Sequence, residues 1–129
     1  MAYKLLLVDD EMDIIDILKP RLAKEGYEVA VAFDGEEALK KVEEENPDII
    51  LLDLIMPKRN GFEVLKEIRE KHKDKWRPII IISAKNELES VQKCYDMEAD
   101  HYLTKPCDIN HVLRGIRTMI SLMSARVKV

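Results

Sequence analysis

The sequence is informative first through what it lacks. In its 129 residues no apolar run approaches the roughly 20 residues that a membrane-spanning helix needs. No apolar segment follows a basic start, as it would in a secretory signal peptide. These absences argue against a membrane protein and against a secreted one, and we expect the protein to be cytoplasmic.

Cysteine is scarce as well. The two cysteines, Cys94 and Cys107, form no CxxC pair and have no histidine at zinc-ligand spacing. The sequence therefore predicts no zinc site. We expect two free, partly buried thiols in preference to a disulfide, which is rare in cytoplasmic proteins.

An excess of basic residues is also missing, because 21 lysines and arginines face 25 aspartates and glutamates, for a formal net charge of −4. A protein that binds nucleic acid regardless of its sequence needs a basic face to displace counterions. We therefore expect no direct binding to nucleic acid. With 47% apolar and 36% charged residues, the chain, 1–129, is expected to fold as a single domain.

Short apolar runs alternate with amphipathic stretches along the chain, with neither internal repeats nor a linker. The runs predict strands at Lys4–Val8, Tyr27–Ala32, Ile49–Leu52, Ile79–Ile82 and around Tyr102. The amphipathic stretches predict helices at Met12–Lys24, from Asp34 to Asn46, from Asn60 onward, at Leu88–Met97 and at Ile109–Met123.

Strands that are apolar on both faces and alternate with helices predict an α/β protein with a parallel sheet covered on both sides. We expect a flavodoxin-like (βα)5 doubly wound sheet with the strand order 2-1-3-4-5. In that order strands 1 and 3 are neighbours, and a ligand crevice lies at their carboxyl ends.

Acidic residues follow these two strands. Strand 1 runs into Asp9, Asp10 and Glu11, and strand 3 runs into Asp53. Two such charges about 5 Å apart repel by roughly 3 kcal/mol at an effective dielectric of about 20. A cation would relieve this repulsion, and oxygen ligands at an open site suit Mg²⁺. Alternatively Asp10 merely caps the first helix, but this would not explain Asp53.

Two further strand ends point to the same edge. Strand 4 ends at Ser83, and Lys105 follows strand 5. Taken alone, Ser83 would more often cap a helix and Lys105 would more often be solvated. A metal ion, a hydroxyl group and an ammonium around one carboxylate are, however, what a phosphoryl group requires.

The motifs VDDE, DLIMP, ISA and YLTKP occur in this order, and together they resemble the receiver domain of bacterial response regulators over essentially the whole chain. The resemblance implies that Asp53 accepts a phosphoryl group from a phosphohistidine of a sensor histidine kinase or phosphotransfer protein. It also implies Mg²⁺ held by Asp10, Asp53 and the backbone carbonyl of Ile55, with Asp9 assisting through water. The protein would relay its state to a downstream output protein or domain, and would not be an enzyme acting on other substrates.

The resemblance also assigns roles around the phosphoryl group. Ser83 would hydrogen-bond it, and Lys105 would pair with it, aimed by a cis bond to Pro106. Tyr102 would be a rotamer switch that turns inward as Ser83 moves. Alternatively Tyr102 is a half-buried aromatic residue of an edge strand.

In the family that the sequence resembles, two positions flank the path of the water that hydrolyses the phosphoryl group. They stand two residues after the phosphoacceptor and two after Ser83, and here they are Ile55 and Lys85. Isoleucine cannot orient a water by hydrogen bonding, and a protonated lysine cannot act as a base. We therefore expect hydrolysis to be slow for this class.

The sequence departs from the family pattern before strand 5. Glu98-Ala99-Asp100-His101 stands where Gly-Ala-Asp-Asp is usual, so we expect a different turn there. We interpret His101 and His111 as surface residues, because neither is near the acidic edge. The principal rival function is a phosphatase acting on a small phosphate ester, but Ile55 stands where that mechanism wants a second aspartate.

The last helix has an apolar row with 4-3-4-3-4 spacing, formed by Ile109, Leu113, Ile116, Ile120, Met123 and Val127. Such a row predicts either a coiled-coil seam or, as we favour, packing on the sheet. A homodimer through helix 4, strand 5 and helix 5 is the related hypothesis about assembly.

Overall fold

The structure is a computed structural model that describes residues 2–56, 60–73, 75–85 and 87–127. Strands and helices alternate along it. The strands are β1 Lys4–Val8, β2 Glu28–Ala32, β3 Ile49–Leu52, β4 Ile79–Ser83 and β5 His101–Thr104. The helices are α1 Met12–Lys24, α2 Gly35–Glu45, α3 Gly61–Lys71, α4 Leu88–Asp96 and α5 Ile109–Val127. Every predicted element is present, with bounds that differ by only a few residues.

The strands form one parallel sheet in the order β2-β1-β3-β4-β5, which confirms the predicted doubly wound topology. In the register of β1 against β3, Val8 pairs with Leu52, so both strands end at the same level. The next residues, Asp9 and Asp53, are therefore neighbours at the carboxyl edge of the sheet.

Two apolar clusters hold the helices on the two faces of the sheet. Because successive side chains of a strand point to opposite faces, Leu6 and Val8 join the cluster that includes α2 and α3, whereas Leu5 and Leu7 join the cluster beneath α1 and α5. Each fully buried leucine contributes roughly 1.5–3 kcal/mol. This packing fixes the ends of the central strands firmly.

The start of α3 lies directly against the backbone that follows β3. The Asn60 side chain caps the helix by accepting from the Glu63 N–H at 3.0 Å, and the Gly61 N–H donates to the Leu54 carbonyl at 2.9 Å. A Cβ at position 61 would lie 2.4 Å from the carbonyl oxygen of Asp53, so only glycine fits. This close approach fixes the backbone at Asp53.

Arg69 of α3 lies at the amino edge of the sheet, opposite the edge that carries Asp9 and Asp53. Its guanidinium donates to the backbone carbonyls of Glu98 and Arg77 at 2.9 and 2.8 Å, and its Nη2 lies 2.6 Å from Oδ2 of Asp100. Glu98 has a left-handed φ of 69°, which glycine adopts more easily. Here the sequence departs from the family pattern, and the bond from Arg69 holds the non-glycine turn in place.

The apolar row of α5 packs on the sheet, as favoured from the sequence. Leu113 and Ile116 are buried, and Ile109, Ile120 and Met123 pack partly buried against the same cluster as α1. The side chain of Val127 lies outside the described residues. Over the described ranges, no helix is long and apolar enough to cross a bilayer.

Candidate functional site

Four carboxylates meet at the carboxyl edge of β1 and β3. One oxygen from each of Asp9, Asp10, Glu11 and Asp53 lies within 4.8 Å of the others. Asp9 and Asp53 are buried, whereas Asp10 and Glu11 are exposed, so the cluster is open on one side. The structure brings together the three aspartates predicted from the sequence and adds Glu11, which had no role in the predicted metal site.

The ammonium of Lys105 lies among these carboxylates. Its Nζ is 2.8 Å from Oδ2 of Asp9, 3.0 Å from Oδ2 of Asp53 and 3.1 Å from Oε1 of Glu11. The peptide bond between Lys105 and Pro106 is cis, as the resemblance implied. Lys105 therefore neutralises part of the negative charge that the fold concentrates here.

Burial and their mutual contact shift the pKa values of Asp9 and Lys105. Burial raises the pKa of Asp9, and the hydrogen bond from Lys105 opposes this rise without cancelling it. Burial lowers the pKa of Lys105, but the hydrogen bonds and charges of Asp9 and Asp53 outweigh it, so the lysine pKa is raised overall. Lys105 is therefore a permanent cation at neutral pH.

Asp53 is held by contacts to both of its carboxylate oxygens. Oδ1 accepts from the backbone N–H of Ile55 at 3.2 Å, and Oδ2 faces Lys105 at 3.0 Å. The side chain of Ile55 is 51% exposed, although it is a large apolar group next to the cluster. The metal-ligand role of the Ile55 carbonyl and the effect of its side chain on water stay predictions.

Ser83, Lys85 and Tyr102 form a second group of contacts beside the cluster. The fully buried Ser83 ends β4, and its Oγ accepts from the Lys85 N–H at 3.3 Å. The hydroxyl of Tyr102 donates to the backbone carbonyl of Lys85, and burial raises the pKa of this hydroxyl to about 12. Tyr102 is half-buried and packs against the cluster that contains Cys94, so its side chain is tied to the loop after Ser83.

The residues present fit a hard divalent cation. The four carboxylates offer closely spaced oxygen ligands, and two of them are exposed. Mg²⁺ prefers such oxygen ligands and an open side where it retains water. Because Lys105 contacts three of the same side chains, its ammonium and a bound metal ion would share them.

The other candidate ligands lie elsewhere. His101 and His111 line a groove between β5 and α5, as expected for residues outside the acidic edge. Cys94 and Cys107 are both free, which confirms the expected thiols. Burial raises the pKa of both, that of Cys94 to about 11, so neither is an activated nucleophile.

The Lys105 contact should be visible in the pH dependence of stability. The raised lysine pKa means that its contribution is present below the ordinary value of 10.5 and is lost only as the pH rises through the folded value. The raised pKa of Asp9 means that ionised Asp9 destabilises the folded state. Its contribution therefore lowers the free energy of unfolding as the pH rises above 3.8.

We therefore expect Lys105→Met to lower the free energy of unfolding by about 3 kcal/mol at pH 7, and by less at pH 4, where Asp9, whose pKa is raised by burial, no longer carries its full charge. Urea unfolding in chelator measures both values. Lys40→Met, an exposed lysine of α2, is the control and should change stability by less than about 0.5 kcal/mol. An equal loss at both pH values for Lys105→Met would contradict the assignment.

Comparison with known proteins agrees with the geometry. Residues 5–117 match the family model described as response regulator receiver domain. The CheY-like response regulator receiver domain protein of Methanospirillum hungatei JF-1 is 28% identical, with a TM-score of 0.90 over 98% of this chain and 99% of that one. The chemotaxis protein CheY4 of Vibrio cholerae is 32% identical, with a TM-score of 0.86 over 92% of this chain and 99% of that one. The BeF3-activated DrrB receiver domain is 27% identical, with a TM-score of 0.83 over 94% and 99%. The chain belongs to the family of response regulator receiver domains.

Proposed function

We propose that the protein is a phosphorylation-controlled switch in which Asp53 accepts a phosphoryl group from a phosphohistidine of a sensor histidine kinase or phosphotransfer protein. The observation that carries this proposal is the position of Asp53, which is buried at the end of a central strand with Lys105 at 3.0 Å from one oxygen. The relative described as the BeF3-activated DrrB receiver domain supports it, since BeF3 resembles a phosphoryl group in shape and charge.

The reaction is an in-line displacement at phosphorus. An oxygen of Asp53 forms a bond to phosphorus, the phosphorus–nitrogen bond to the donor imidazole breaks, and the electron pair returns to that nitrogen. The N–H of Ile55 and the ammonium of Lys105 orient the attacking carboxylate. We propose that Asp10, Asp53 and the Ile55 carbonyl hold Mg²⁺, with Asp9 acting through water. When bound, the ion neutralises charge on the phosphoryl oxygens.

The same contacts suggest how the modification is relayed. A phosphoryl group on Asp53 would offer new acceptors to Lys105 and to the hydroxyl of Ser83, which in this structure is bonded to the loop residue Lys85. Since the Tyr102 hydroxyl donates a hydrogen bond to the carbonyl of Lys85, a rearrangement of the loop after Ser83 changes the environment of the tyrosine. We propose that this shifts a balance between two states.

The site is also proposed to reset itself by hydrolysis of the phosphoryl group, slowly, because Ile55 and Lys85 flank the water. The output is proposed to be a partner protein or domain, and a homodimer is proposed to form through α4, β5 and α5. We propose further that residues 1–129 are one domain acting in the cytoplasm.

The phosphoacceptor can be tested directly. Asp53→Asn should abolish labelling by acetyl phosphate in the presence of Mg²⁺, because an amide oxygen is too weak a nucleophile, while circular dichroism stays native. Asp96→Asn, an exposed residue of α4, is the matched control and should be labelled as wild type is. Intact-mass spectrometry with peptide mapping locates the label, and undiminished labelling of Asp53→Asn would refute the assignment.

Metal binding should appear as a gain in stability. At about a hundredfold excess over its Kd, Mg²⁺ should raise the free energy of unfolding by about 2.7 kcal/mol, because it relieves repulsion among the carboxylates. Asp10→Ala should lose most of this gain, whereas Asp13→Ala, which changes an exposed aspartate in the first turn of α1, should keep it. Urea unfolding with and without Mg²⁺ measures the gain. An equal gain in wild type and Asp10→Ala would exclude Asp10 as a ligand.

Hydrolysis should be limited by the two flanking side chains. Ile55→Asn and Lys85→Glu should each speed the decay of phosphorylated protein a few-fold, which corresponds to about 1 kcal/mol of barrier, because each introduces a group that can orient water. Leu122→Asn, an apolar residue of α5 with 46% exposure, is the control for a surface change. Decay is followed by intact-mass spectrometry in saturating Mg²⁺. Unchanged or slower decay in Ile55→Asn would show that this side chain does not gate the water.

A further inference from the structure

The side chain of Glu11 has an unusual position at the start of α1. Glu11 is the N-cap residue of the helix, yet its carboxylate makes no capping hydrogen bond. Short polar side chains are favoured at this position because they reach the first free N–H groups of the helix. The Glu11 carboxylate instead lies 3.1 Å from the ammonium of Lys105, across the opening of the acidic cluster.

Glu11 is also the outermost of the contacts that Lys105 makes. A lysine ammonium has three N–H donors, and carboxylates of Asp9, Asp53 and Glu11 lie within 3.1 Å of this one. The side chains of Asp9 and Asp53 are only 3% and 4% exposed, whereas that of Glu11 is 59% exposed. A phosphoryl donor approaching Asp53 from solvent therefore meets the charge of Glu11 on its way.

We propose that Glu11 is a positioning and selectivity residue: it occupies one donor of Lys105, and its negative charge disfavours phosphoryl donors of higher negative charge. The inference rests on the proposed role of Asp53. It implies that the site favours donors with a phosphorus–nitrogen bond, whose leaving nitrogen carries a proton, over dianionic acyl phosphates.

Two small donors differ in the required way. Acetyl phosphate is a dianion at neutral pH, and phosphoramidate is a zwitterion with one unit less net negative charge. With either donor an Asp53 oxygen forms a bond to phosphorus. The phosphorus–oxygen bond of acetyl phosphate breaks and its electron pair leaves with acetate. The phosphorus–nitrogen bond of phosphoramidate breaks and its electron pair leaves on the protonated nitrogen as ammonia.

The expected effect follows from the charge difference. One unit charge about 6 Å from the donor, in an environment close to water, changes the rate roughly threefold for every unit of donor charge. Glu11→Gln removes the charge and keeps the shape of the side chain. It should therefore speed labelling by acetyl phosphate about threefold more than labelling by phosphoramidate.

The experiment measures second-order rate constants for both donors by intact-mass spectrometry, with Mg²⁺ saturating for each variant. In Glu11→Gln the ratio of the acetyl phosphate to the phosphoramidate rate constant should rise about threefold, and the rise should shrink at about 1 M salt, where charges are screened. Asp16→Asn removes one exposed charge from the same helix, farther from the cluster, and should leave the ratio unchanged.

Glu11→Asp separates charge from a loss of structure. It keeps the charge at the opening on a shorter side chain, so its ratio should stay close to that of wild type. An unchanged ratio in Glu11→Gln, or a ratio in Glu11→Asp equal to that in Glu11→Gln, would overturn the inference. Failure of both donors to label the wild-type protein would refute the proposed function of Asp53 instead.

Discussion

The carboxylates at the end of β1 and β3 must have a cation among them, and the functional edge of the protein depends on this constraint. The register of β1 against β3 places Asp9 beside Asp53 regardless of charge. Two such groups about 5 Å apart repel by roughly 3 kcal/mol. In the described part of the chain, Lys105 supplies the cation, from a position 52 residues beyond Asp53. The last strand and its loop therefore stabilise an edge built by the first and third.

A chain of hydrogen bonds connects the acidic cluster to β5. The backbone N–H of Lys105 donates to the carbonyl of Ser83 at 2.8 Å. The Oγ of Ser83 accepts from Lys85, whose carbonyl accepts from Tyr102. A change in the partners of the Lys105 ammonium thus has a contiguous physical path to a half-buried tyrosine. Such a path is necessary for coupling between Lys105 and Tyr102, but it is not sufficient. Coupling also requires that changes at both residues favour the same alternative state of the protein.

The sequence predicts the fold because apolar runs and helical periodicity alternate without ambiguity. It predicts the meeting of Asp9 and Asp53 for a related reason, since parallel strands that are neighbours share one edge. The contact of Glu11 with Lys105 joins residues 94 positions apart, and no pattern fixes the direction of a glutamate at a helix start. The bonds of Arg69 were equally inaccessible, because an arginine in the last turns of α3 belongs to no motif.

The two edges of the sheet differ in how their charges are matched, and this difference supports the carboxyl edge as the place of the proposed switch. At the amino edge, Asp100 accepts both from Arg69 and from the Ile79 N–H at 2.9 Å, and Asp48 accepts from the backbone N–H of Lys4 and from the ammonium of Lys75. At the carboxyl edge, within the described ranges, four carboxylates lie together and three of them contact the ammonium of Lys105.

Of these two edges, the carboxyl edge therefore has the excess of negative charge, and a bound cation or the proposed phosphoryl group would change the balance there. The apolar core and the contacts of Arg69 hold the strands in place whether or not a cation or a phosphoryl group is present. Because the excess charge sits on loops beyond the strand ends, its redistribution can move those loops while the sheet stays folded.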